Sequence, residues 1–127
     1  DFMMLRCFTF GLCLVLSVSG ASAQNRPALS TDDSYNQATE MVMAYSAVAR
    51  ACGHREFRDL KTGLVQLLEV QNRRRLLTNY GKRLYQDTER YLDEAVAEYR
   101  RRPYVTCGQA PEYYPQIVLL IRRLIAG

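Results

Sequence analysis

The chain has one histidine, His54, and four cysteines, and that scarcity excludes several kinds of chemistry. Neither Cys52 nor Cys107 belongs to a Cys-x-x-Cys pair, so redox catalysis of the thioredoxin kind lacks its motif. No Gly-x-Ser-x-Gly turn is present, and His54 would have to serve as the base of any serine triad. A Cys52–His54 nucleophile would need a free thiolate, which a disulfide removes. One histidine, two late cysteines and no clustered carboxylates do not compose a zinc site, and no nucleotide-binding constellation is visible. Paired acids are all a glycosidase needs, and Glu40, Glu56, Glu69, Glu94 and Glu98 supply carboxylates, but helices carry such residues on solvent faces as a matter of course. The expectation is a protein without enzymatic activity and without a cofactor.

A long apolar run is also missing. The stretch Cys7–Val18 is uninterrupted but well short of the roughly 20 residues a membrane-spanning helix needs. Arg6 stands just before it, and the small residues Ala21, Ser22 and Ala23 follow, which together form the three-part pattern of a secretory signal peptide. Small side chains at Ala21 and Ala23 fit the shallow pockets of a signal peptidase, so cleavage is expected between Ala23 and Gln24. The alternative is retention as an anchor. Lipid attachment would need a cysteine directly after the small residues, where Gln24 stands. Asp1 and Phe2 precede Met3 and Met4 and read as a remnant ahead of the start. The expected division is therefore 1–23 as signal peptide with its remnant, 24–33 as a flexible lead, and 34–127 as one helical domain, periplasmic or secreted.

Export changes the cysteine arithmetic, because Cys7 and Cys13 leave with the signal and only Cys52 and Cys107 remain. An even pair in an oxidising compartment implies one disulfide. Closing a loop of that length constrains the unfolded chain by about 4 kcal/mol on the entropy model, which matters where a single small core is marginal.

Composition is that of a soluble globular domain, with 48% apolar and 24% charged residues and no repeat or low-complexity tract. The periodicity is helical nearly throughout. Tyr35, Ala38, Val42, Tyr45 and Ala49 define one face of a first helix, with Ser30, Thr31 or Ser34 as candidate caps and Gly53 as its stop. Phe57, Leu60, Leu64, Leu67 and Leu68 define a second, weakened slightly by Gly63, with a break expected in the polar segment 71–75. Leu77, Tyr80, Leu84, Thr88, Tyr91, Leu92, Ala95, Val96 and Tyr99 lie at the spacing of one long third helix, which Pro103 ends. A last helix starts near Pro111 or Pro115 and carries Ile117, Leu120, Ile121 and Leu124. No alternating run bounded by hairpin turns is present. The expected fold is all-α: a small antiparallel four-helix bundle stapled by one disulfide between the end of the first helix and the loop before the last.

Two surfaces remain as candidates for binding. Arginine far outnumbers lysine and is clustered as Arg73, Arg74, Arg75, then Arg100, Arg101, Arg102, then Arg122 and Arg123. These are candidate contacts for an anionic lipid or glycan, or simply solvated helix ends; no nucleic acid is expected, because export removes most of it and no recognition pattern accompanies the charge. The loop between the last two helices brings Tyr104, Tyr113 and Tyr114 together with prolines, a rigid aromatic patch suited to a protein partner or, equally, a lid on the core.

The Ala51-Cys52-Gly53 sequence followed by Glu56, Phe57 and Arg58, then a long helix and a single later cysteine, resembles small uncharacterised exported helical proteins of bacteria. That resemblance implies an exported helical domain with one bridge and brings no activity with it. Size and build are also similar to those of small immunity proteins and inhibitors exported to the periplasm, a likeness of fold alone. The functional expectation is a non-enzymatic protein that binds a protein partner at the cell envelope; the alternatives are binding of anionic lipid or glycan and a small hydrolase with a carboxylate pair.

Overall fold

The computed structural model describes residues 31–126, and of Thr31 and Asp32 the backbone only. The expected signal peptide and most of the expected lead lie outside the described residues, whereas Thr31–Asp33, counted with that lead, are already helical.

Among the described residues the chain is all-helical and contains no strand. The helices are α1 (Thr31–Cys52), α2 (Glu56–Arg73), α3 (Asn79–Gln86), α4 (Thr88–Arg101) and α5 (Tyr114–Ala126), with one 3-10 turn over Ala110–Glu112. Where the sequence pattern predicts one long third helix, two appear, because Asp87 leaves helical geometry (φ −145°, ψ 65°) and its side chain accepts from the Arg90 amide at 3.3 Å. A carboxylate that caps the following helix competes with continuation of the preceding one. Thr88 reinforces the bend by donating its hydroxyl to the Leu84 carbonyl at 2.9 Å.

Two helix ends use the same device. At the end of α1 the amides of Gly53 and His54 return to the carbonyls of Arg50 and Ala49, with Gly53 at φ 74°. At the end of α2 the amides of Arg75 and Leu76 return to Asn72 and Gln71 in the same pattern. Here the left-handed position is filled by Arg75 at φ 60°, a conformation that disfavours any residue with a Cβ. The predicted stop at Gly53 and the predicted break at 71–75 are both in place.

α1 and α2 form an antiparallel hairpin; α4 packs on α1, and α5 packs on α2 and α1. The shared core is built from the predicted stripes: Val42 and Ala49 of α1, Leu60, Leu64, Leu67 and Leu68 of α2, Leu84 of α3, Leu92 of α4, and Ile117 and Ile121 of α5 are all buried. Complete burial of each such side chain contributes about 1.5–3 kcal/mol. Gly63 lets α5 approach, since a Cβ there would stand 2.7 Å from Ile121 Cδ1. Two polar side chains are buried between α1 and α2 and satisfied: Gln71 donates to Thr39 Oγ1 at 2.8 Å, and Thr39 donates to the Tyr35 carbonyl at 2.8 Å. Ser46 Oγ, also buried, has no partner among the described residues.

Candidate functional site

The disulfide is formed as expected: Cys52, the last residue of α1, is bonded to Cys107 in the loop after α4, with Cα atoms 5.6 Å apart. Around it the sequence places an aromatic cluster from four parts of the chain. Tyr45 of α1 contacts Tyr113 at 5.6 Å between ring centroids, and Tyr104 and Tyr114 edge-on at 6.4 Å each. Tyr99 of α4 contacts Tyr104 at 5.3 Å, and His54 contacts Tyr114 at 5.7 Å. Edge-to-face geometry puts the positive ring edge on a negative face and adds about 0.5–1.5 kcal/mol per pair beyond burial.

The hydroxyls of the cluster are anchored as well. Tyr99 donates to the Val105 carbonyl, Tyr104 donates to the Ala44 carbonyl at 2.9 Å, and Tyr114 shares a 2.8 Å hydrogen bond with His54 Nδ1. Thr106 and Gln109 brace the loop with two side-chain to backbone bonds at 3.0 and 3.2 Å. Burial pushes Tyr104 and Tyr114 up to about 12, with neighbouring tyrosines adding to the shift at both and Glu56 at Tyr114, so both hydroxyls stay protonated at ordinary pH. Burial, followed by Tyr113 and Tyr99, also raises Tyr45.

The three tyrosines of the expected partner surface do not share one fate. Tyr104 and Tyr113 are 36% and 42% exposed, whereas Tyr114 is 1% exposed and belongs to the core. Tyr114 lies three and seven residues before Ile117 and Ile121, on the buried stripe of α5, while Tyr113 precedes the helix and faces outward. Tyr114 is therefore a wall behind the surface rather than part of it.

The arginine clusters divide in the same way. All eight predicted anion contacts are exposed. Arg74 is tied inward: its Nη1 donates to the Tyr35 hydroxyl at 2.8 Å, and that hydroxyl donates to the Leu124 carbonyl at 2.9 Å. Arg101 pairs with Glu98 one turn back. Arg73, Arg75, Arg100, Arg102, Arg122 and Arg123 form no ion pair within the described residues. Tyr35 thus joins the C-terminal turns of α2 and α5 at the start of α1, bringing Arg73–Arg75 and Arg122–Arg123 to one pole, whereas Arg100–Arg102 close α4 and lead into the tyrosine loop.

Sequence reasoning passed over Arg50. It donates to Glu89 and Asp93 of α4 at 2.8 Å each and lies over the Phe57 ring at 4.3 Å. Lys61 of α2 bonds the same Glu89, whose carboxyl is held below its ordinary value first by Lys61 and then by Arg50. This network clamps α4 against α1 and α2. It also occupies one wall of an open cleft of about 370 Å³ over the α1–α2 turn, lined by Arg50, Arg55, Arg58, His54 and Phe57. With its most enclosed guanidinium already between two carboxylates, that cleft serves the fold.

Among the described residues the remaining chemistry is dispersed or already engaged. His54 is engaged with Tyr114 and Cys52 with Cys107. Glu94 and Glu98 pair with Arg90 and Arg101, and Glu40 and Glu56 are exposed on different helices. Among the described residues no group of three or more histidine, cysteine, aspartate or glutamate side chains is arranged to hold a metal ion, and no helix is long and apolar enough to cross a membrane. The chain matches no protein-family model, no curated protein and no solved structure.

Proposed function

We propose that this chain is an exported, non-enzymatic helical protein that binds a protein partner at the cell envelope through the surface carrying Tyr104 and Tyr113. The observation that carries the reading is the combination of exposure and rigidity at that surface. Two large rings stand 36% and 42% exposed while their inner edges pack on Tyr45. Tyr99, Tyr114 and the Cys52–Cys107 bridge back them from behind. A tyrosine already held in place loses little conformational freedom when a partner closes on it, and it offers both apolar area and a hydrogen-bonding tip.

The Arg6, Cys7–Val18 and Ala21–Ala23 pattern supports export, and the bridge between cysteines 55 residues apart suits an oxidising compartment. The architecture is best described as an antiparallel four-helix bundle in which α3 and α4 count as one bent rod, and the likeness to small exported bacterial helical proteins with one bridge belongs to the same reading. Glu69 is half-buried on α2 while Glu40 and Glu56 are exposed, and among the described residues no cleft brings two of these acids together as a hydrolase would require.

The test is affinity capture from the protein's own cell envelope at low and high salt, comparing the natural chain with Tyr113→Ala. Tyr113 is the variant of choice because its hydroxyl makes no hydrogen bond among the described residues, whereas the Tyr104 hydroxyl donates to the Ala44 carbonyl. A partner retained at high salt and lost with Tyr113→Ala supports the reading; capture indifferent to Tyr113 refutes it.

A further inference from the structure

We propose that the pole formed by the C-terminal turns of α2 and α5 is a docking surface for an anionic phospholipid bilayer, separate from the tyrosine surface. Tyr35 builds this pole by holding Arg74 on one side and the Leu124 carbonyl on the other. The assembly gathers Arg73, Arg74 and Arg75 from one chain segment and Arg122 and Arg123 from another. Opposing charge does not cancel them, although Glu69 stands one turn before Arg73 on α2. Asp32 and Asp33 begin α1, and two helix C-termini contribute about half a negative charge each, so the five arginines remain in excess. Dipole complementation alone would use one or two of them.

Two further observations select a bilayer over a soluble anion. Leu119 is 58% exposed, the most open large apolar side chain among the described residues. It lies three and four residues before Arg122 and Arg123 and therefore shares their face of α5, with Ala126 continuing that face. An apolar side chain flanked by arginines on one helix face matches the headgroup–acyl boundary, where the chain inserts and the guanidinium groups meet phosphates. The second observation is the direction of chain entry. Thr31 leads into this same pole, and the apolar run ends at Val18, so the intervening residues reach at most about 40 Å. This point rests on the export reading and applies before cleavage after Ala23: while the run is held in a membrane, the arginine pole is the end of the fold tethered nearest to it.

The experiment is vesicle co-flotation of the protein as it accumulates in its host. It uses phosphatidylcholine vesicles with and without phosphatidylglycerol, free inorganic phosphate and a sulfated glycan as competitors, and circular dichroism as a folding control. Binding is expected only with phosphatidylglycerol, weakening steeply with salt and resistant to millimolar phosphate. Each Arg→Gln change at Arg73, Arg75, Arg122 and Arg123 should weaken it roughly fivefold, and all four a few hundredfold. Arg74 stays intact because it braces Tyr35. Leu119→Ser should weaken binding with helicity unchanged, and Tyr113→Ala should leave it unchanged, which keeps this result distinguishable from failure of the partner surface. Equal flotation with neutral vesicles, indifference to the four glutamines, or binding of the glycan without vesicles would overturn the proposal.

Discussion

Gly63 is the point at which the docking of α5 on α2 can be tested most sharply. A Cβ at this position would stand 2.7 Å from Ile121 Cδ1 and 3.2 Å from Ile121 Cγ2, where ordinary contact begins at 3.4 Å. Two opposing effects follow from Gly63→Ala. The helix interior gains about 1 kcal/mol because alanine loses less backbone freedom than glycine. The overlap costs about 1–3 kcal/mol, since Ile121 is itself buried and branched at Cβ and has little room to turn aside. The net expectation is destabilisation by up to about 2 kcal/mol rather than the gain an exposed helix would show. Ile121→Val removes the nearest atom, and alone it should cost about 0.5–1.5 kcal/mol. Combined with Gly63→Ala it should cost markedly less, giving a coupling of at least about 0.5 kcal/mol in a double-mutant cycle. Urea unfolding followed by far-ultraviolet circular dichroism measures all four proteins. A stabilisation of the full 1 kcal/mol by Gly63→Ala, additive with Ile121→Val, would refute the packing described for α5.

Other perturbations reach different parts of the fold. Arg75→Gly should stabilise the protein by about 0.5–1 kcal/mol, because Arg75 holds a left-handed conformation at φ 60° that glycine adopts without a clash; a lower urea midpoint would contradict the helix end described for α2. Ser46→Ala should stabilise by about 1 kcal/mol, since it removes a buried hydroxyl with no partner, and a loss of stability would show that the hydroxyl is satisfied after all. Alkaline pH supplies a third check. The Tyr114 hydroxyl has its folded value raised to about 12 against about 10 unfolded, so its contribution is complete below pH 10 and lost as pH rises from 10 to 12. Stability should fall across that window, with Tyr104 contributing in the same direction, and the fall should shrink in Tyr114→Phe. An identical fall in both proteins would assign the effect to other groups.

Much of the architecture is written in periodicity. The stripes Tyr35–Ala38–Val42, Leu60–Leu64–Leu67–Leu68 and Ile117–Ile121 are the core, because burial of one helix face requires that spacing whatever the neighbours are. Punctuation was legible too: Gly53 stops α1, polar residues break the chain after α2, and α4 ends two residues before Pro103. The bend at Asp87 was not, since apolar residues keep helical spacing straight through it. Its one signal was an aspartate immediately before Thr88 and Glu89, a capping pattern that periodicity alone does not read. The site shows the same boundary between local and distant information. The cysteine pairing follows from arithmetic, and the burial of Tyr114 was available in its register with Ile117 and Ile121. The role of Arg50 was not, because Glu89 and Asp93 reach it only once α4 has folded back on α1.

The central claim, that the exposed tyrosines form a protein-binding surface, is tested most directly by site-specific photo-crosslinking in living cells. A benzophenone amino acid placed at Tyr113 should yield one discrete heavier adduct containing an envelope protein, while the same probe at Glu94, exposed on α4, should yield none. Adducts of equal pattern and strength at both positions, or none at Tyr113, would contradict it.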